Sequence, residues 1–225
     1  MTRIANYQEW LNLRTNKAEK IQAVLEDFLG KPVQGYTMAD IGCHVGIICD
    51  FFAQKNTCVG VDFENSVTVK NEKFSFITCT DENIPIESDS IDIVIYNHVI
   101  EHVRNQLLHL KEIHRILRHS GICYFSAPNR FFPKDSHSNL WFFHYMPVPL
   151  YMKYLRKINR YTGYTNLPTY LKQRDLCKKA NFKIKEYTAE ILRRPFDFHM
   201  RDIRPLRIPA FLQALSKINI YILYK

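Results

Sequence analysis

The chain has 225 residues, with 31 Lys and Arg against 22 Asp and Glu and a formal net charge of +9. That length suits one α/β domain with an added lid or insert, and 46% apolar content is enough for a sizeable core. No apolar run reaches the about eighteen residues of a membrane span, Met1–Asn6 lacks a secretory leader's apolar stretch, and a soluble cytoplasmic protein is the expectation.

Six cysteines sit singly, with no C-x-x-C and no Cys/His cluster. They read as small core residues in a reducing compartment, and no metal site is expected. The positive balance favours anionic partners: phosphorylated or carboxylated substrates, nucleic acid, or an anionic membrane surface.

Residues 1–35 read as a helical cap. Tyr7, Trp10, Leu11 and Arg14 suit a short first helix. Asn16-Lys-Ala-Glu19 has the form of a capping box that would start a second. Ile21, Val24, Leu25 and Phe28 then recur at helical spacing until Gly30 and Pro32 stop the run.

Tyr36–Ile41 reads as a short strand that carries an acid, Asp40, near its end. A turn from Gly42 to Gly46 follows, with Cys43 and His44 inside it, and then a helix from Ile47 to Lys55. Strand, glycine turn and helix is how a parallel sheet offers backbone N–H groups to a nucleotide-like ligand. A second strand, Thr57–Val61, leads to Asp62, an acid placed to accept hydrogen bonds from ribose hydroxyls. The turn lacks the middle glycine of a dinucleotide fingerprint, and no G-K-[ST] follows, so the pattern points to a nucleoside without phosphates.

Phe74–Cys79 is a third strand, and Ile91–Tyr96 is a fourth, apolar enough to be buried on both faces. Asn97-His98 follows it directly, with Glu101 and His102 one helical turn further, where they read as holding helix to strand. Leu107, Leu110, Ile113 and Leu117 define a helix that Ser120-Gly121 would close, ahead of a fifth strand, Ile122–Ala127. Alternating strands and helices argue a parallel sheet.

Together Asp40-Ile-Gly-Cys-x-x-Gly46, Asp62, Asn83-Ile-Pro-Ile86, Ser90-Ile-Asp-Ile-Val94 and Val99-Ile-Glu-His-Val103 resemble a class I S-adenosylmethionine (SAM) methyltransferase, of the type containing quinone-biosynthesis-like enzymes. The resemblance runs from about Met38 to Ala127. It implies an α/β, Rossmann-like, seven-stranded and mostly parallel sheet with helices on both faces, the last strand antiparallel between the fifth and sixth. It also implies SAM as cofactor. The backbone of Gly42 and Cys43 would pass the methionine end, Gly46 would close the turn, and Asp40 would face the amino group. Asp62 would hold the ribose, Phe63 would pack on adenine, and Asn97 would line the site. At the adenine edge either Asp81 or Thr80 would accept from the exocyclic amine.

The resemblance divides a single domain, 1–225, into the cap, a SAM-binding core at 36–128, an insert at 129–170 and the C-terminal part of the sheet at 171–225. The insert is dense in aromatics and prolines and ends on a basic amphipathic stretch, Leu150–Arg160, which reads as core, lid or membrane-facing surface. Beyond it, Leu167–Ala180 reads as helix and Phe182–Tyr187 as strand. An arginine-rich connection (Arg193, Arg194, Arg201, Arg204, Arg207) and a short helix near 210–215 precede a last strand, Lys217–Tyr224.

His98, at a strand end, is the first candidate for a general base; His137 and His144 in the insert are the second. The expected reaction is methyl transfer to a small or lipid- or glycan-linked acceptor, anionic in character, at oxygen first, with nitrogen and carbon open. Peripheral membrane contact through Trp141–Tyr154 is a further expectation. An RNA methyltransferase and a non-catalytic binding module are the alternatives. The aromatics cluster with prolines instead of interleaving with bases on strands, which weighs against nucleic acid. Oligomeric state is not indicated.

Overall fold

The computed structural model describes residues 7–68, 72–80, 82–135, 138–160, 163–200, 203–206 and 214–225. Asp81, His137, Arg201, Arg207 and most of the short helix expected near 210–215 lie outside them.

Helix α1 (Tyr7–Leu29) precedes β1 (Thr37–Ile41), α2 (Ile47–Ala53), β2 (Thr57–Asp62), β3 (Phe74–Thr78) and β4 (Ile91–Asn97). Then come α3 (Gln106–Ile116), β5 (Leu117–Pro128), α4 (Val148–Lys157), α5 (Tyr170–Lys179), β6 (Lys183–Glu186), α6 (Thr188–Arg193) and β7 (Ile218–Tyr224). The seven strands form one sheet in the order β3-β2-β1-β4-β5-β7-β6. All pair in parallel except β7, which runs antiparallel between β5 and β6. The expected sheet, with its last strand inserted between the fifth and sixth, is the observed one.

Alternation along the central strands sends side chains to two separate cores. Ile93 and Ile95 of β4, Ile122 and Tyr124 of β5, and Ile220 and Ile222 of β7 pack with α1, α2 and the α6 region. Val94 and Tyr96, Cys123 and Phe125, and Tyr221 and Leu223 pack with α3 and α5 on the other face. Burial on both faces is why β4 reads as an unbroken apolar run. A smaller third cluster, Tyr151, Met152 and Leu155, lies under α4 in the insert.

Three expectations are corrected. The N-terminal segment is one helix, not two: α1 runs straight through Asn16, so that residue does not open a capping box. Thr15 bonds back to the Leu11 carbonyl in the manner of a helix interior. Ala18, Ile21, Val24 and Leu25 are fully buried beneath the continuous helix, and that packing outweighs the modest helix penalty of asparagine. Secondly, Ser120-Gly121 does not close α3. The helix ends at Ile116, and Leu117 turns to φ −68°, ψ 137° and pairs with Ile91, placing Ser120 and Gly121 within β5. Thirdly, the arginine-rich connection begins as a helix, α6, anchored by buried Ala189 and Ile191; its short length hid the period.

The turn after β1 holds its shape through the backbone. Gly42 and Cys43 both donate to the Val61 carbonyl, at 2.7 and 3.2 Å. Gly42 has φ 75° and Gly46, which begins α2, has φ 87°, left-handed values that cost glycine little.

Candidate active site

In a parallel sheet the ligand crevice forms outside the carboxyl ends of the strands. Here those ends bring together Asp40 and the Gly42–Gly46 turn from β1, Asp62 and Phe63 from β2, and Asn97 and His98 from β4. Asp40 lies opposite Gly60 in the β1–β2 pairing and opposite Ile95 in the β1–β4 pairing, which sets it between the other two tips.

Asp62 serves two amides at once. Its Oδ2 accepts from His44 N–H and its Oδ1 from Phe63 N–H, each at 2.8 Å. The first bond explains how a histidine occupies a position suited to glycine. His44 has φ 50°, and its exposed side chain leaves the turn while its amide is fixed by the acid.

Asp40 is 4% exposed, and its Oδ2 has no hydrogen-bond partner among the described residues. Burial raises its pKa to about 7, the Asp62 charge adds to the rise, and Arg14 of α1 and a backbone bond from Cys49 oppose it. A buried acceptor atom of this kind fits an incoming ammonium group. The Cys43 thiol is pushed well above its usual range, by burial first and then by both carboxylates, so it is inert as a nucleophile.

Beside Asp62 lies a cleft of about 630 Å³ lined by Phe63, Cys79, Thr80, Glu82, His102, Arg104 and Asn105. Phe63 is 46% exposed there, an apolar ring available for stacking. Thr80 Oγ1 accepts from Asn83 N–H at 3.1 Å, and so shapes the turn at the cleft edge.

His98 follows β4 with φ 60° and donates its backbone N–H to the Ser126 carbonyl at 2.8 Å. The left-handed backbone turns the chain sharply, and the next residue, Val99, packs against Gly42. His98 Nδ1 lies 3.5 Å from Oε1 of Glu101, a carboxylate with a completely buried side chain. Burial lowers the His98 pKa, Glu101 partly restores it, and Lys17 and Lys20 lower it further. The imidazole is therefore neutral near pH 7. With Nδ1 turned to Glu101, Nε2 is left as the acceptor.

Sequence reasoning gave Glu101 the role of holding helix to strand and missed its approach to His98, 3.5 Å from Nδ1. It also missed α1 as a source of charge at the site. Arg14, Lys17 and Lys20 recur three residues apart on that helix and act on Asp40 and His98. The stripe is present in the sequence, where Arg14 reads only as part of a short first helix. His102 Nδ1 lies 2.9 Å from the Tyr164 carbonyl, which ties it to the loop after α4 and not to a strand. His144 is buried inside the insert, where its Nε2 meets the Arg130 carbonyl at 3.1 Å.

A second cavity of about 370 Å³ is almost wholly apolar, lined by Phe132, Ile191, Leu192, Met200, Ile203, Ile218 and Ile220, with Lys20 and Lys217 as its charged groups. It sits at the same end of the sheet as the site, because Ile218 pairs with Pro128 at the carboxyl end of β5. Burial, and then Lys17, lower the Lys20 pKa to about 8.

Comparison with known proteins accords with this geometry. A methyltransferase domain family matches residues 39–125. A probable S-adenosylmethionine-dependent methyltransferase of Mycobacterium tuberculosis, found in two strains, is 30% identical over 96 residues, which is 40% of this chain and 35% of that protein. The chain thus aligns with about a third of the length of the curated relatives it matches. An S-adenosylmethionine-dependent methyltransferase from Mesorhizobium loti superposes with a TM-score of 0.59 at 13% identity, over 86% of this chain and 92% of that one. A Haemonchus contortus phosphoethanolamine N-methyltransferase, solved with phosphomonomethylethanolamine and S-adenosylhomocysteine, gives 0.56 at 17% identity, over 92% of this chain and 52% of its own. At such identities the structures establish the shared fold.

Proposed function

We propose that this chain, which has the class I methyltransferase fold, binds SAM and directs methyl transfer to a hydroxyl of an acceptor with an apolar body and an anionic group. The observation that carries the cofactor assignment is the pair of acids at neighbouring strand tips. Asp40 is buried with an unpartnered oxygen, and Asp62 is braced by two amides. The pair suits the ammonium and the ribose of SAM, and Phe63 with the adjoining cleft suits its adenine. When bound, SAM supplies a methyl group on a positively charged sulfur.

The chain's own part is to bind, align and deprotonate. An in-line displacement gains most from positioning. A neutral His98, oriented through Nδ1 by Glu101, takes a hydroxyl proton at Nε2. The apolar cavity supports the acceptor's hydrocarbon part, and Lys20 supports its anionic group. Calorimetry with S-adenosylhomocysteine tests the cofactor half. Label from methyl-tritiated SAM, followed into lipid extract, soluble metabolites or RNA, tests the acceptor half. Label passing to RNA alone would overturn the acceptor reading.

A further inference from the structure

We infer that the described residues 129–135 and 138–160 of the insert form a docking surface for an anionic lipid membrane. This goes beyond the reaction and does not depend on it.

The insert is built to hold a shape. Buried Asp135 accepts from Ser138 N–H at 2.6 Å, from Ser138 Oγ at 2.5 Å and from Tyr151 OH at 2.6 Å. Arg130 reaches the carbonyls of Tyr145 and Met146, and Arg160 reaches that of Ser138. Tyr151, Met152 and Leu155 give the insert its own small core.

What this frame displays is apolar. Trp141 is 54% exposed, and Phe142 and Leu150 are each 58% exposed, with Phe131 and Tyr145 also at the surface. Phe142 has φ 64°, a strained backbone for a bulky residue. Several large apolar side chains held together at the surface mark a contact surface.

Charge selects the occupant. Residues 129–160 contain Arg130, Lys134, Lys153, Arg156, Lys157 and Arg160, against one acid, Asp135, which is buried. On α4, Leu150, Lys153 and Lys157 are exposed on the stripe opposite the small core. Apolar rings with a purely basic surround are what anionic headgroups above acyl chains recognise. Single-stranded RNA also takes aromatics and bases, but it needs open ring faces. Here Phe143 and Tyr154 stack on each other at 4.7 Å, Lys134 lies over the Trp141 ring at 5.7 Å, and Trp141, Phe142 and Tyr145 meet at tilts of 45° and 48° that offer no parallel platform for bases. Phe132, next to this surface, lines the apolar cavity that holds Lys20, so docking sets that cavity beside the lipid phase.

Co-sedimentation of the full chain with phosphatidylcholine vesicles, with and without phosphatidylglycerol, tests the inference. Binding is expected only with the anionic lipid. It should fall about ten-fold or more in Trp141→Ala/Phe142→Ala and in Lys153→Glu/Lys157→Glu. It should be retained in Lys183→Glu/Lys185→Glu, a charge control on β6. Circular dichroism melts confirm that each variant is folded. Three results would overturn the inference: no sedimentation, sedimentation indifferent to the aromatic pair, or aromatic-dependent binding of oligouridylate with vesicles ignored.

Discussion

Asp62 Oδ2 accepts the amide N–H of His44 at 2.8 Å, a bond that ties the tip of β2 to the turn after β1. One acid thus shapes the turn and faces the crevice. Charged hydrogen bonds of this type contribute about 1.5–3 kcal/mol. Asp62→Ala should weaken S-adenosylhomocysteine binding by about ten- to a hundred-fold, and Asp62→Asn, which keeps one acceptor, should weaken it less. Titration calorimetry distinguishes them, and equal affinities for wild type and Asp62→Ala would remove Asp62 from the site.

Asp40 makes the ligand-free protein sensitive to pH. Its folded pKa is raised to about 7 from 3.8, chiefly by burial. Between those values the unfolded chain releases a proton that the folded one keeps, so stability declines as pH rises. The stability is fully present below 3.8 and lost through about 7. Asp40→Asn should match wild type near pH 4 and exceed it by up to roughly 4 kcal/mol at pH 7 and above. Urea denaturation from pH 4 to 8 reads the difference; parallel curves would refute the assignment.

Gly42→Ala should damage the fold itself. The position has φ 75°, and an added Cβ would lie 2.6 Å from Val99 Cγ2. Left-handed strain and the clash with the residue after His98 together should cost about 2–3 kcal/mol. The urea midpoint should fall with an unchanged slope.

Lys20 carries a burial penalty in the ligand-free state. Its pKa is lowered to about 8 from 10.5. The unfolded chain therefore takes up a proton first as pH falls through that window, and stability drops with it. Lys20→Met should be more stable than wild type by about 1–3 kcal/mol at pH 7, with the gain shrinking from pH 8 towards 10. A gain that does not vary with pH would mean the amine is solvated.

Reading the sequence alone recovered the seven strands and a parallel sheet, while the late antiparallel insertion came from the family resemblance. It also recovered Asp40, Gly42, Gly46 and Asp62 at the strand tips. The strands and the glycines are local quantities: a strand buried on both faces must be apolar along its length, and a tight turn needs glycine where φ is positive. Tertiary structure decided the rest. Arg14 and Lys20 reach the site because α1 crosses to it, and Glu101 meets His98 because β4 ends in a left-handed turn that leaves the carboxylate 3.5 Å from the ring's Nδ1. The spacing of these residues is visible in the chain, but what they face is not. The same holds for α1, which continues past Asn16 because the sheet face below supplies more burial free energy than the local capping signal could offset.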